Sequence, residues 1–172
     1  MAPIRCLAAT ALAALVFTAP AHAATWTWNY SGAGIAAAGT FTTSDTPDTE
    51  GYYAITAITG SHNGVAITGL EPAGSAIPGN DPYDVDNLVS IAGPQLTWNG
   101  FGYVMADGSW ANPFSDGSTA WEYLSVPPYP EGAGQEVAVD FSAAPVPEPA
   151  TGVLALLGVG GIAAASRLRR KR

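Results

Sequence analysis

Between residues 24 and 144 the chain shows no helical period of convincing length, because glycine, proline, asparagine and aspartate interrupt it repeatedly. The stretches between these breaks are short and rich in the β-branched and aromatic residues that favour strands. Residues 25–30 alternate polar and aromatic types, which places Trp26, Trp28 and Tyr30 on one face. The pattern therefore predicts an all-β fold.

The predicted strands follow one another closely along this region. They occupy residues 25–30, 39–43, 52–59, 65–68, 88–92, 95–98, 101–105, 120–126 and 136–142. Asn63-Gly64 and Asn99-Gly100 favour the positive φ angles of tight turns, so the strands around Asn63-Gly64 form a predicted hairpin. Short strands at this spacing are typical of an antiparallel β-sandwich, and about 120 residues can bury an adequate core. We therefore expect residues 24–144 to form a β-sandwich ectodomain.

Charge is distributed very unevenly along the chain. All six lysine and arginine residues lie outside residues 24–144. Of the 14 acidic residues only Glu148 lies outside, which leaves 13 carboxylates in a region without lysine or arginine. A surface without cations cannot neutralise phosphates, so the sequence excludes nucleic acid as a partner. Self-repulsion of this kind keeps copies of a protein apart in solution.

The first 23 residues have the organisation of a secretory signal peptide. Arg5 supplies a positive charge, residues 6–18 are apolar, and Ala21 and Ala23 form a small-x-small cleavage site. The alternative is an uncleaved membrane anchor, but the apolar run is shorter than the ~20 residues that a membrane span needs. We expect cleavage after Ala23, which also removes the single cysteine, Cys6, so that the mature chain has neither a thiol nor a disulfide.

Residues 145–172 combine three features in order: the motif Val146-Pro147-Glu148-Pro149, an uncharged stretch over about 150–166, and a basic end. At ~1.5 Å per residue, a helix over this stretch measures about 25 Å, close to the ~30 Å bilayer core, and flanking arginines can snorkel. The predicted membrane stop consists of Arg167, Arg169, Arg170, Lys171 and Arg172. A basic end stays in the cytoplasm, so the ectodomain faces outward.

This tail resembles the PEP-CTERM sorting signal of Gram-negative envelope proteins. The matching residues are Val146, Pro147, Glu148 and Pro149, together with the Gly/Ala/Leu-rich span and the arginine-rich end. The resemblance implies that exosortase, a transpeptidase-like membrane enzyme, processes the chain near this motif. It further implies export through the inner membrane, transient anchoring by the C-terminal helix, and a final place in the envelope or extracellular matrix, alongside exopolysaccharide and biofilm machinery.

One acidic loop is a candidate metal site. Asp81, Asp84 and Asp86 lie within a few residues of one another, between Asn80 and Asn87. Oxygen ligands of this kind suit Ca²⁺, although the EF-hand pattern is missing. The alternative is a solvated loop, in which aspartate and asparagine favour turns. No other cofactor is expected.

All five tryptophans lie between residues 24 and 144, where exposed aromatic rings would form a platform for stacking sugars. Trp110 stands in a loop-like context and is the first candidate, with Tyr83 and Tyr129 as further ones. The remaining tryptophans fall within predicted strands and are expected in the core, where aromatic residues dominate. They are Trp26, Trp28, Trp98 and Trp121.

Catalytic residues are harder to find. His62, the only histidine of the region, lies at a predicted hairpin tip, which is a poor setting for a serine hydrolase. Glu122 and Asp140 could form a glycosidase pair, although some carboxylates among so many approach one another by chance. We therefore expect an exported, non-enzymatic envelope or matrix protein, structural or associated with exopolysaccharide. The alternatives are a carbohydrate-binding or adhesion module stabilised by calcium and, third, a glycan hydrolase.

Overall fold

The computed structural model describes residues 24–147, whose regular secondary structure is entirely β. The strands are β1 (Ala24–Gly32), β2 (Ile35–Thr43), β3 (Tyr52–His62), β4 (Val65–Leu70), β5 (Ser75–Ala76), β6 (Asp84–Val85), β7 (Leu88–Ser90), β8 (Tyr103–Met105), β9 (Trp110–Ser115), β10 (Ala120–Ser125) and β11 (Gln135–Pro145). This range contains no helix long and apolar enough to span a bilayer.

Several sequence predictions concern residues beyond this range. The signal peptide with Ala21 and Ala23, the motif residues Glu148 and Pro149, the helix over about 150–166 and the basic residues 167–172 all lie outside the described residues.

Eight strands close into a barrel in the order β2-β1-β11-β10-β9-β8-β4-β3, and β3 pairs with β2 to complete the ring. Each of these pairings is antiparallel. β7 extends the sheet beside β3, and β5 with β6 forms a small separate ribbon. The predicted all-β antiparallel fold is confirmed, but the predicted sandwich is wrong, because one continuous sheet closes on itself.

Two pairings bring about the closure. β1 pairs with the last strand, β11, from Trp26 opposite Pro145 to Gly32 opposite Val139. The other closing pairing joins β2 to β3, where Gly39 lies opposite Gly60. Neither position has room for a side chain. A Cβ atom on Gly39 would lie 1.8 Å from the carbonyl oxygen of Thr59, and a Cβ atom on Gly60 would lie 2.2 Å from the carbonyl oxygen of Ala38. Glycine at both positions therefore permits the backbones to approach this closely.

Aromatic side chains fill the interior of the barrel. As predicted, Trp26, Trp28 and Tyr30 share the buried face of β1. The Trp28 ring stacks on Phe41, with centroids 5.3 Å apart and planes 14° apart, and Phe41 meets Phe101 edge-on at 5.0 Å. Such contacts add to the large area that each ring buries. The interior is thus a packed core.

The Asn63-Gly64 hairpin is confirmed. Both residues have positive φ angles, 48° and 82°, as a two-residue turn between β3 and β4 requires. The side chain of Asn63 also supports this turn, because its Oδ1 accepts from the backbone N–H of Ala36 at 2.8 Å and its Nδ2 donates to the carbonyl of Gly34 at 3.1 Å.

Two predictions in the middle of the chain are wrong. Residues 95–98 do not form a strand, since only Leu96 bridges to Val89. Trp110–Ser115, by contrast, forms β9 despite two residues that disfavour strands, Asn112 and Pro113. The structure accommodates both: Asn112 Nδ2 donates to the Phe101 carbonyl at 3.1 Å, and the Pro113 carbonyl accepts from the N–H of Phe101 at 3.1 Å.

Candidate aromatic binding site

A cavity of about 270 Å³ lies on the outer side of the barrel wall. Its lining combines five aromatic residues (Tyr83, Trp98, Phe114, Trp121 and Tyr123), two amides (Asn80 and Asn112) and two carboxylates (Asp116 and Glu136). This volume lies just below the range of about 300–1,000 Å³ that is usual for small-molecule sites. An open apolar pocket with a few polar groups is the usual form of a ligand site.

Three neighbouring strands position the wall of the cavity. Trp121 on β10 lies opposite Phe114 on β9, and Tyr123 lies between Asn112 on β9 and Glu136 on β11. The loop segment that includes Asn80 covers this wall, where Tyr123 donates a hydrogen bond to the carbonyl of Gly79 at 2.6 Å. The site is therefore built largely on a rigid sheet.

The cavity holds two strongly exposed aromatic side chains. Trp98 is 62% exposed and Tyr83 is 59% exposed. Trp98 and Phe114 form a T-shaped pair with ring centroids 6.1 Å apart, and Trp98 stays largely exposed beside it. Exposed aromatic residues gathered at one cavity mark an interaction site rather than scattered surface residues.

Asp116 fixes the indole of Trp121. Trp121 Nε1 donates to Asp116 Oδ2 at 3.0 Å, while Asp116 Oδ1 accepts from Ser118 N, Ser118 Oγ and Thr119 N, each at 2.8 Å. The backbone hydrogen bonds of Thr119 and Ser118, followed by the indole N–H, hold the pKa of Asp116 well below its usual range. The carboxylate is thus ionised, and the Trp121 ring is held in place.

A second polar cluster lies inside the barrel. His62 Nε2 lies 3.0 Å and 3.2 Å from the two carboxylate oxygens of Glu122, and Tyr30 donates its hydroxyl hydrogen bond to Glu122 Oε2. The hydroxyls of Tyr30 and Tyr103 are also hydrogen-bonded to each other. Burial is the main cause that raises the pKa of both tyrosines. All four residues are buried, so this cluster belongs to the core.

This cluster corrects two interpretations of the sequence. His62 was expected to be an ordinary turn residue, whereas it is 4% exposed and paired with Glu122. Glu122 and Asp140 do not form a carboxylate pair, because Glu122 is fully buried in the interior while Asp140 is exposed on β11. The barrel wall separates the two side chains.

The predicted calcium ligands are not gathered into a site. Among the side chains of residues 24–147, no three or more His, Cys, Asp or Glu are grouped to hold a metal ion, Asp81, Asp84 and Asp86 included. Calcium binding stays a prediction. Asp86 instead accepts hydrogen bonds from Thr97 Oγ1 at 2.8 Å and Leu88 N at 3.2 Å. These bonds fit the alternative interpretation, in which aspartate stabilises a turn.

The predicted sugar-binding residues are only partly brought together. Tyr83 lines the cavity, but Trp110 packs against a small buried cluster that includes Ile77. Tyr129 has a φ of 61° and donates its hydroxyl to the carbonyl of Gly108 at 2.5 Å, and it is outside the cavity lining. The expectation that Trp110 is the exposed tryptophan is therefore wrong.

Trp98 and Trp121 line the cavity, so the expectation that both lie in the core is wrong. Trp98 is exposed because its segment is not a strand. In β10 the aromatic residues Trp121 and Tyr123 point outward, because Glu122 between them points inward. The local sequence does not reveal this orientation, because a glutamate flanked by aromatic residues predicts that the glutamate faces solvent and the aromatic residues face the core.

The match to a known family begins at the last residue of the barrel. β11 ends at Pro145, and the N–H of Val146 donates to the carbonyl of Thr25 at 2.7 Å. Residues 145–171 match the family model of the PEP-CTERM protein-sorting motif. The tail is a PEP-CTERM sorting motif. Exosortase recognises this motif, which implies export to the envelope or extracellular space. No curated protein and no solved structure matches the chain.

Proposed function

We propose that this exosortase-sorted protein binds polysaccharide of the cell envelope or extracellular matrix through the aromatic cavity. We propose further that it does not cleave the polysaccharide. The observation that carries the proposal is the exposure of Trp98 and Tyr83 at one cavity. The sorting motif supports the proposal, because it implies export to the envelope or extracellular space.

The aromatic lining suits the chemistry of sugars. A sugar ring presents a face of C–H groups that packs on an aromatic face, and hydroxyls at its edge that hydrogen-bond to amides and carboxylates. Trp98 and Tyr83 offer the faces, and Asn80, Asn112 and Glu136 offer polar groups. Trp121 is already held by Asp116, so binding costs little side-chain entropy at this position.

The carboxylates of the cavity favour binding over hydrolysis. Glycoside hydrolysis requires one carboxyl group as general acid and a second as nucleophile or base. Both oxygens of Asp116 accept hydrogen bonds that hold the loop and the Trp121 indole. Glu136 is then the one cavity carboxylate left for a ligand, and one carboxylate does not make a catalytic pair.

Replacing Trp98 by alanine tests this proposal. We expect the variant to bind a matrix polysaccharide about tenfold more weakly, because loss of one stacking face corresponds to about 1.4 kcal/mol. Affinity electrophoresis through gels that contain the polymer measures the effect. Ile91→Ala is the matched control, since Ile91 is equally exposed (62%) and is not part of the cavity lining. Equal retardation of Trp98→Ala and the unmodified protein would refute the proposed binding site. Release of reducing ends from the polysaccharide by the unmodified protein would show hydrolysis and refute binding without cleavage.

A further inference from the structure

The charge around the aromatic cavity restricts which sugars can enter it. Residues 24–147 contain 13 carboxylates and no lysine or arginine. Two of these carboxylates, Asp116 and Glu136, line the cavity, and Asp81 and Asp84 are exposed on either side of Tyr83. A cleft lined by one sign of charge attracts ligands of the opposite sign and repels its own. Uronate and sulfated polymers are therefore poor ligands.

Aromatic faces beside carboxylates are the combination that recognises an ammonium group. An ammonium ion over the face of tryptophan or tyrosine gains a cation–π interaction, and a neighbouring carboxylate adds a charge-assisted hydrogen bond. Trp98 and Tyr83 supply exposed aromatic rings, and Glu136 supplies the carboxylate. The amide of Asn80, a lining residue that is only 7% exposed, supplies a fixed polar partner.

We infer that the cavity selects glycans with free amino groups, such as polymers of deacetylated hexosamine, over neutral and acidic glycans. The inference rests on the proposed polysaccharide-binding function and adds the chemical class of the ligand. A hexosamine unit fits both parts of the lining, since its ring stacks on the exposed aromatic rings while its ammonium group meets the carboxylate of Glu136. An N-acetylated unit keeps the ring and loses the charge.

The test compares the affinities of several oligosaccharides of equal length for the protein. The protein is purified after export from an exosortase-containing host. The probes are glucosamine oligomers, their N-acetylated counterparts, neutral glucose oligomers and uronate oligomers, at a pH where the amines are protonated. Calorimetric titration is expected to give at least tenfold tighter binding for the glucosamine oligomers than for the N-acetylated ones. Higher salt should reduce this preference, because the attraction is screened.

Glu136→Gln is expected to reduce the preference severalfold while N-acetylated oligomers still bind. Asp140→Asn is the matched control, because it removes the same charge from the same strand, β11, outside the cavity.

Equal affinity for amine and acetylated oligomers, or a preference for uronates, would overturn the inference and leave the proposed function intact. Binding to no glycan would overturn both. Tighter binding of a lysine-rich peptide than of any glycan, with the same dependence on Glu136, would assign the cavity to a basic protein partner instead.

Discussion

Replacing His62 by alanine is expected to lower the free energy of unfolding by about 1–3 kcal/mol, the usual cost of leaving a buried hydrogen-bonding group without its partner. His62 Nε2 lies within 3.2 Å of both carboxylate oxygens of Glu122, which is fully buried. Without the imidazole, Glu122 keeps only the hydroxyl of Tyr30 as a hydrogen-bond donor among the contacts of the described chain. Residues 24–147 hold no lysine or arginine to replace it.

Urea denaturation followed by the fluorescence of the buried Trp26 and Trp28 measures this loss. Adding Glu122→Gln to the His62→Ala variant should restore part of the stability, because an amide both donates and accepts hydrogen bonds and is less costly to leave without the imidazole. Asp140→Asn is the control, and as an exposed substitution it should change stability by less than about 0.5 kcal/mol. A His62→Ala variant as stable as this control would show that the buried pair does not support the barrel.

Alkaline pH should unfold the protein steeply. Burial raises the pKa of Tyr30 and of Tyr103 above the value of ~10 that these groups have in the unfolded chain. Above pH ~10 the unfolded chain therefore loses two protons that the folded barrel retains. The stability contributed by the neutral tyrosines is complete below that pH and is lost as the pH rises towards the folded-state pKa values. The expected slope is about 2.7 kcal/mol per pH unit, or about 1.4 for each tyrosine.

Urea unfolding at several pH values between 9 and 12 measures the slope, which should approach this limit above pH ~11, where the unfolded tyrosines are almost fully ionised. Tyr103→Phe should halve it, because one titrating hydroxyl is removed while the bond from Tyr30 to Glu122 remains. Tyr83→Phe serves as the control, since Tyr83 is 59% exposed and should leave the slope unchanged. A slope that Tyr103→Phe does not reduce would mean that other groups drive the alkaline transition.

Local features of the fold could be predicted from the sequence because local forces decide them. Alternation placed Trp26, Trp28 and Tyr30 on the buried face, and Asn63-Gly64 fixed the register of the β3–β4 hairpin. The closed barrel could not be predicted in this way, because a sandwich and a barrel have the same inside–outside alternation. What distinguishes them is which distant strands pair, and here β1 pairs with β11.

The candidate site was predicted poorly for a related reason. Of the proposed sugar-binding residues only Tyr83 lines the cavity, while Trp98 and Trp121 were assigned to the core. The error at Trp121 arises from Glu122, which points inward because His62, far away in the sequence on β3, pairs with it. A long-range partner of this kind leaves no trace in the pattern of β10, although it decides which side of the strand faces a ligand.

The pairing of β1 with β11 also determines when the barrel can be completed. A chain threaded across a membrane from its amino end delivers β1 first and β11 last, so the aromatic interior cannot be sealed until residue 145 has emerged. The matched sorting motif begins at this same residue, and its second residue, Val146, is hydrogen-bonded to Thr25. The barrel can therefore be completed only when the chain has emerged as far as the start of the sorting motif.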